Sequence, residues 1–270
     1  MLRVEFIRQV KRRRTWGMIA AITIVPVLVA IANKTEGGRP ELRRNLFALG
    51  TNNGLNFATF TLLLMSNFFL VVVVAAFAGE SVSGEATWGT LRYLLVRPVR
   101  RPKLIAAKLA IAALLAAAST ALVTISALLI GTAFFGWGDA LLVGRSRLLP
   151  IELLGPWDAV GRLALASGYV TVCLLFVVAV GMFLSTLTDS TAGAVVGTIV
   201  VVVTCSVLLN VPSLVGIRPI IPTNYWAEWN FLFYARGDVE LWKGVVSSAV
   251  YTTLFSGLAI ARFQRKDILS

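Results

Sequence analysis

The sequence has no histidine, two cysteines and few charges. Asp, Glu, Lys and Arg make up 14% of its 270 residues, where a soluble domain has about 25%. No acid or base interrupts any of its six longest apolar windows. Proton-coupled carriers usually need ionisable groups at membrane depth, so this absence argues against such a carrier. A sodium site built from carbonyl and hydroxyl oxygens stays open.

Catalytic and metal-binding patterns are also missing from the sequence. It has no GxxxxGK[ST] phosphate loop, no nucleophile elbow and no HExxH motif. Cys173 and Cys205 each lie in an apolar window, where a buried thiol packs as a small hydrophobe. We therefore predict a non-catalytic chain that binds no metal and no cofactor of its own.

Apolar residues are what the chain has in excess: 57% of the residues are hydrophobic and the mean hydropathy is +0.82. About 20 apolar residues cross a bilayer, and a backbone in lipid satisfies its own hydrogen bonds by forming a helix. We predict an all-α polytopic membrane protein, one domain over residues 1–270. Its six predicted spans are Trp16–Asn33, Phe57–Gly79, Leu109–Gly136, Leu163–Thr188, Ser190–Leu214 and Gly244–Ala261.

The net charge of +12 is concentrated on one side of these spans. With a cytoplasmic N-terminus, the inside segments 1–15, 80–108, Asp189 and 262–270 hold 15 of the 25 Lys and Arg and 5 of the 13 acids. Lys and Arg concentrate in the cytoplasmic loops of membrane proteins. The basicity thus predicts a multi-pass protein of the cytoplasmic (inner) membrane with both termini inside, and it requires no nucleic-acid partner.

The first 15 residues are basic and amphipathic. Apolar residues between Val4 and Val10 can line one side of a helix whose other sides are basic. This pattern predicts an interfacial helix over residues 1–15, lying on the membrane lipid. A signal peptide is the alternative, since Ala30-Ile31-Ala32 resembles a cleavage site.

The stretch SVSGEATWGTLRYLLVRPVRRPK, Ser81 to Lys103, is too charged to enter lipid and predicts a short amphipathic helix. Ser83 is a candidate N-cap, Glu85 and Arg97 suit the two ends of the helix dipole, and Pro98 ends the helix. Its apolar stripe is Trp88, Leu91, Leu94 and Leu95. Such a helix can lie on lipid headgroups or dock in a groove of a cytosolic partner, and composition does not separate the two.

A longer pattern contains this stretch: Glu80, Glu85, Gly89-Thr90-Leu91-Arg92, Leu95, Pro98-Val99, Arg101 and Lys108. It resembles the cytoplasmic loop between the second and third spans of ABC type 2 permeases, approximately E-x-x-x-GT-L/I-x-x-LL-x-x-P-V-S/T-R-x5–7-K. Arg100 stands where that family usually has Ser or Thr. The turn LSTLTDSTAGA and the ending FQRKDIL are also similar to the family.

The resemblance implies the transmembrane subunit of an ATP-binding cassette exporter with the type V exporter fold. It implies that region 80–108 carries a cytoplasmic coupling helix, which docks on a separate cytosolic ATPase subunit that binds ATP and Mg. A second permease, identical or paralogous, is the other expected partner.

The expected docking residues have different roles. The apolar stripe gives contact area, the charges of Glu85, Arg92 and Arg97 set the register, and Gly89 and Thr90 allow close approach. Glu80 is expected to pair with a nearby basic residue. The full predicted docking set is Glu80, Glu85, Trp88, Gly89, Thr90, Leu91, Arg92, Leu94, Leu95, Arg97, Pro98 and Arg101.

Residues 212–242, between the fifth and sixth spans, are rich in proline and aromatic residues. Trp and Tyr favour the membrane interface, so an aromatic belt is one interpretation. The resemblance implies instead re-entrant helices that dip into the outer leaflet and act as an outer gate. The candidate gate residues are Tyr225, Trp226, Trp229 and Phe231.

Polar residues within the second and fifth spans are candidates for a substrate path: Ser66, Asn67, Thr204, Ser206 and Asn210. Hydrogen bonding between helices is the alternative role for each. A path of apolar and hydroxyl groups suits amphipathic or lipid-like cargo. Two other functions stay open. One is a carrier or channel that works alone; the other is a membrane scaffold that binds an ATPase without moving cargo.

Overall fold

The computed structural model describes residues 7, 9, 11, 13–36, 53–87, 101–142, 153–234 and 240–265. Six helices in these ranges are long and apolar enough to cross a membrane. Helix α2 consists of Gly54–Leu64, a π-helical turn at Met65–Phe69 and Leu70–Thr87. The other five are α1 (Arg13–Glu36), α3 (Arg101–Phe135), α4 (Pro156–Leu187), α5 (Thr191–Leu208) and α6 (Leu241–Arg265). This confirms the prediction of a mostly helical, multi-pass membrane protein.

The helix ends differ from the predicted spans. Helix α3 has 35 residues, about 52 Å at 1.5 Å per residue, whereas a bilayer core is about 30 Å thick. Long helices therefore continue outside the lipid. Span two was expected to end at Gly79, yet α2 runs to Thr87, and span five was expected to reach Leu214, yet α5 ends at Leu208.

The prediction that Ser83 caps a separate helix is wrong. Ser83 is buried inside α2, and its hydroxyl donates to the Gly79 carbonyl at 2.6 Å. A serine hydroxyl can bond to the carbonyl four residues back in its own helix, so a serine there need not mark a helix start.

Helices α2 and α4 form the centre of the bundle and are its most buried spans. Helix α4 contacts α2, α3, α5 and α6. Gly181 of α4 lets α2 approach closely, because a Cβ at this position would lie 2.8 Å from the Cβ of Ala78. Helices α1, α5 and α6 expose apolar side chains, as expected for faces that meet lipid.

The two ends of the bundle differ in composition. At one end, which we call the basic end, α1, α3 and α5 begin and α2, α4 and α6 end. The residues at this end include Arg14, Thr87, Arg101, Asp189 and Arg265. The opposite end is the hairpin end, where strand β1 (Ala140–Leu141) pairs antiparallel with β2 (Leu153–Leu154). There the Asn53 side chain caps α2 by accepting from the Asn56 amide at 2.9 Å.

Three short 3-10 segments connect α5 to α6: Pro212–Ile220, Pro222–Tyr225 and Glu228–Phe233. Proline lacks an amide donor and is tolerated in the first turn of a helix, where Pro212 and Pro222 stand. Re-entrant helices were predicted over residues 212–242, and in the described residues 212–234 the helical segments are of the 3-10 type.

Candidate functional site

A buried ion pair joins α2 to α3 at the basic end. The Lys108 Nζ donates to the Glu85 Oε1 at 2.8 Å, and both side chains are 2% exposed. The same ammonium donates to the Ser81 carbonyl at 2.8 Å. Opposite charges removed from water need both mutual contact and further hydrogen bonds, and Lys108 has both here. The pair fixes the two helix ends that flank residues 88–100.

A second connection joins α2 to α4. The Ser185 hydroxyl of α4 accepts from the Val82 amide at 3.0 Å and from the Ser83 amide at 2.8 Å. Ser185 is fully buried, so the three groups are shielded from water. Bonds from a side chain to backbone amides hold the helix itself, independent of any side chain on α2.

The end of α2 is also attached to the turn between α4 and α5. The Thr87 hydroxyl donates to the Asp189 carbonyl at 2.7 Å and lies 3.2 Å from the Thr191 hydroxyl. Asp189 belongs to the turn LSTLTDSTAGA between α4 and α5. This turn is therefore part of the basic-end assembly.

Two exposed contacts complete the basic end. The Arg14 Nη1 donates to the Glu80 Oε1 at 2.9 Å, which confirms that Glu80 pairs with a basic residue. The Arg101 Nη1 donates to the Gln264 carbonyl at 3.0 Å and so ties the start of α3 to the end of α6. Hydrogen bonds at the basic end thus connect all six helices.

Most of the predicted docking residues lie outside the described residues. They are Trp88, Gly89, Thr90, Leu91, Arg92, Leu94, Leu95, Arg97 and Pro98. Among the described ones, Glu85 does not fit its predicted role in setting a docking register, because its carboxylate is buried and bonded to Lys108. Glu80 and Arg101 each have a partner inside the chain.

The candidate path residues are found at the surface of the single chain. Asn67 is exposed on the π-helical turn, and its side-chain amide donates to the Leu63 carbonyl at 2.8 Å. Thr204, Ser206 and Asn210 are exposed on or just beyond α5. Ser66 is half-buried and donates to the Leu63 carbonyl at 3.2 Å. The hydrogen bonds of these serines and asparagines to other described residues stay within their own segments, so they do not support the interhelical alternative.

The candidate gate residues lie against the bundle interior. The Tyr169 hydroxyl of α4 donates to the Tyr225 carbonyl at 2.6 Å, and Trp229 is 1% exposed. The Trp226 ring packs edge-on against Phe176, with centroids 6.3 Å apart. Phe231 packs on Tyr234, with centroids 5.5 Å apart.

The aromatic contacts place part of this segment well inside the length of α4. Phe176 lies about 17 Å along α4 from its end at Leu187, and the ring of Trp226 contacts it there.

Sequence reasoning found Glu85 and Lys108 as parts of one pattern but missed that they bind each other. One signal was available: Lys108 begins the most apolar part of α3, where an unpaired ammonium would be costly. Ser185 gave no such signal, because a serine within a turn-like sequence reads as an ordinary polar residue.

Comparison with known proteins places the chain in a family. A search of the curated proteins found no match to the chain. The family model described as "Protein of unknown function (DUF2705)" matches residues 21–269, nearly the whole chain, from within α1 to beyond the end of α6. The chain therefore belongs to the DUF2705 family.

Proposed function

We propose that this protein is the membrane permease subunit of an ATP-binding cassette exporter, driven by a separate cytosolic ATPase that binds ATP and Mg. The observation that carries the proposal is the buried Glu85–Lys108 pair, with both side chains 2% exposed. It clamps the two ends of the segment whose pattern resembles a coupling helix. The permease itself has no catalytic role in this scheme.

The clamp gives the segment a mechanical function. Helix α2 is continuous from Gly54 to Thr87, and α3 from Arg101 to Phe135. Movement of residues 88–100 by a docked ATPase would pass into both helices as rigid-body tilt, because their ends cannot move apart without breaking a buried ion pair. A segment that only rested on lipid headgroups would need no such clamp.

The exposed polar residues support a transporter made of two permeases. Asn67 and Asn210 carry amides on faces that are uncovered in a single chain. Polar side chains at membrane depth usually face a bundle interior or a cavity. A second permease, identical or paralogous, would cover these faces and enclose a path suited to an amphipathic or lipid-like compound or drug.

The 3-10 segments support an outer gate. They reach Phe176 of α4 and are held there by hydrogen bonds from α4 and α6 to backbone carbonyls. A plug held by a few hydrogen bonds can move more easily than a helix that spans the membrane. With N- and C-termini in the cytoplasm, this plug faces the outer side of the cytoplasmic membrane.

The test is purification of the tagged full-length chain from its native membrane in a mild detergent, with every co-purifying polypeptide identified by mass. We expect a soluble protein with a phosphate loop in stoichiometric amount, together with a second permease or a second copy of this chain. A folded chain that purifies without any ATPase would overturn the proposal and favour a carrier that works alone. Binding of an ATPase whose hydrolysis no cargo stimulates would favour the scaffold.

A further inference from the structure

Four buried polar groups on α6 and the middle 3-10 turn, beside α4, have no hydrogen-bond partner stronger than the Cys173 thiol among the described residues. We call them the inner polar cluster: Thr223 Oγ1, Trp226 Nε1, Ser248 Oγ and Thr252 Oγ1. Their polar atoms are buried, and the Thr223 and Ser248 residues are 5% and 2% exposed. A buried polar group without a hydrogen bond costs free energy, so four in one place need an explanation.

Local geometry brings two of these groups to one side of the 3-10 turn. The Trp226 amide donates to the Thr223 carbonyl at 3.2 Å, which is a 3-10 hydrogen bond. Residues three apart are eclipsed in a 3-10 helix, so the Thr223 and Trp226 side chains point the same way. The Trp226 ring lies against Phe176 of α4, which fixes that direction as inward.

The other two groups share one face of α6. Ser248 and Thr252 are four residues apart and lie one above the other. Between them in sequence, Tyr251 packs on the same Phe176, with ring centroids 5.9 Å apart. One turn earlier, a Cβ at Gly244 would lie 3.1 Å from the Cβ of Tyr225, so the 3-10 turn and this face of α6 are in contact.

The hydroxyls on α6 are turned away from their own helix backbone. Thr253, next to Thr252, donates to the Ala249 carbonyl at 2.7 Å, as do most span hydroxyls in this chain with their own preceding turns. Ser248 and Thr252 make no such bond. Ser248 lies instead beside the Cys173 thiol, a weak hydrogen-bonding group.

The cluster has a definite chemistry. The indole N–H can only donate, and each of the three hydroxyls can donate as well as accept, so all four groups can donate to a hydrogen-bond acceptor. Around it stand the rings of Phe176, Trp226, Tyr251 and Phe255, with Phe176 and Phe255 centroids 6.0 Å apart. Donors inside an aromatic lining are the usual composition of a site for a small neutral molecule.

We propose that the inner polar cluster binds a neutral molecule that presents a hydrogen-bond acceptor, such as a carbonyl, beside an aromatic or apolar body. The site lies within one chain, between α4, α6 and the 3-10 turn. It is separate from the surface polar residues of α2 and α5, and it requires no ATPase and no second permease. Its test is therefore independent of the proposed transport function.

The experiment uses the full-length protein in detergent micelles and two fluorinated probes observed by fluorine NMR. 4-Fluoroacetophenone carries the acceptor, and 4-fluoro-α-methylstyrene has nearly the same shape with a CH2 group in place of the carbonyl oxygen. Empty micelles at the same detergent concentration give the background from partitioning. We expect saturable binding of the ketone at millimolar concentration and at least fivefold weaker binding of the styrene.

Substitutions then locate the site. The double variant Thr223→Val/Ser248→Ala removes two hydroxyls with little change in volume, and we expect it to weaken ketone binding about tenfold or more. Trp226→Phe keeps a ring but removes the indole donor, and we expect a loss of about fivefold even if the double variant does not fold. Thr253→Val is the matched control, because its hydroxyl is bonded to the backbone, and it should bind as the wild type does.

Three results would overturn the proposal. One is equal binding of the ketone and the styrene, which would show an apolar site without acceptor recognition. Another is unchanged ketone affinity in the folded double variant and in Trp226→Phe. The third is the absence of saturable ketone binding, which would mean that the cluster holds only water.

Discussion

Lys108 donates at 2.8 Å both to the Glu85 carboxylate and to the Ser81 carbonyl, so one ammonium group fastens the last turns of α2 to the start of α3. The two side chains are 23 positions apart in the sequence and equally buried. A buried ion pair is weak evidence for stability in itself, because desolvation of both charges opposes their attraction. What it does determine is geometry, since the buried charges favour an arrangement that keeps the Lys108 ammonium in contact with the Glu85 carboxylate.

Removal of one charge of the pair should therefore lower the free energy of unfolding far more than removal of both charges. We expect Glu85→Gln to lower the free energy of unfolding by about 3–5 kcal/mol, because the Lys108 charge stays buried without its counter-ion. The double variant Glu85→Leu/Lys108→Met should lose much less of the free energy of unfolding. Denaturant unfolding in micelles, followed by tryptophan fluorescence, measures both.

The matched control for this pair is the exposed one at the same end. Glu80→Gln removes the Arg14–Glu80 ion pair, in which Arg14 is 62% exposed, and should change stability by no more than about 1 kcal/mol. Equal stability of Glu85→Gln and the wild type would contradict the assignment of Glu85 and Lys108 as a clamp.

Close backbone packing gives a second prediction. A Cβ at Gly54 would lie 2.4 Å from the Thr132 backbone nitrogen, and backbone atoms there cannot turn aside as a flexible side chain can. We expect Gly54→Ala to force α2 and α3 apart and to destabilise the protein by about 1–3 kcal/mol. Thermal unfolding of the purified variant in micelles measures the loss.

Gly168 provides the comparison for this substitution. It lies in α4, and a Cβ there would meet nothing within 4 Å. Alanine is a better helix former than glycine by about 1 kcal/mol, so Gly168→Ala should be neutral or slightly stabilising. If the two variants unfold at the same temperature, the close approach of α2 and α3 at Gly54 is not real.

The six spans could be predicted because each contains an uninterrupted apolar window, and lipid leaves the backbone little choice but a helix. The ends of these spans could not be predicted from the sequence. The rule that polar residues mark the end of a span fails at Ser81 and Ser83, whose hydroxyls donate to carbonyls of their own helix. It fails at Glu85 because the partner that makes its burial tolerable comes from another helix.

The site was predictable to the extent that it depends on short motifs. The spacing of Glu85 and Lys108 was visible in the sequence, and the pairing of Glu80 with a basic residue was expected. Ser185 and the inner polar cluster were not predictable, because their importance comes from groups brought together by helix packing. In the sequence Ser248 does not differ from other serines in a span. Only the structure shows that its hydroxyl makes no hydrogen bond to the backbone of its own helix.

The apolar stripe within residues 88–100 gives a third prediction, which rests on the sequence. Leu91→Asp/Leu95→Asp places two charges where an apolar docking surface is expected, and we expect ATPase association to fall more than tenfold. The loss follows because burial of an unpaired carboxylate at an interface is costly. The measurement is pull-down with the purified ATPase subunit, alongside gel filtration to check that the permease is intact.

An added charge at the same end controls for general electrostatic effects. Gln264 is exposed at the end of α6, and Gln264→Glu keeps the backbone carbonyl that accepts from Arg101. This variant should bind the ATPase as the wild type does. Full association of the double leucine variant would show that residues 88–100 are not the docking element.

The hydroxyl of Tyr169 gives the last prediction, because it is one of two donors from α4, with Arg162, that hold the 3-10 segments in place. Tyr169→Phe removes this bond to the Tyr225 carbonyl and keeps the ring. A single hydrogen bond contributes about 0.5–1.5 kcal/mol, so backbone amides in residues 220–234 should exchange with deuterium about three- to tenfold faster. Peptides from the cores of α2 and α4 should exchange as before, because the loss is confined to local opening.

Thr171→Val, which removes a hydroxyl bonded to the Ser167 carbonyl within α4, should leave exchange in the segment unchanged. Equal acceleration across all helices in Tyr169→Phe would mean that the residue supports the whole fold, and that the 3-10 segments are not a separately movable plug.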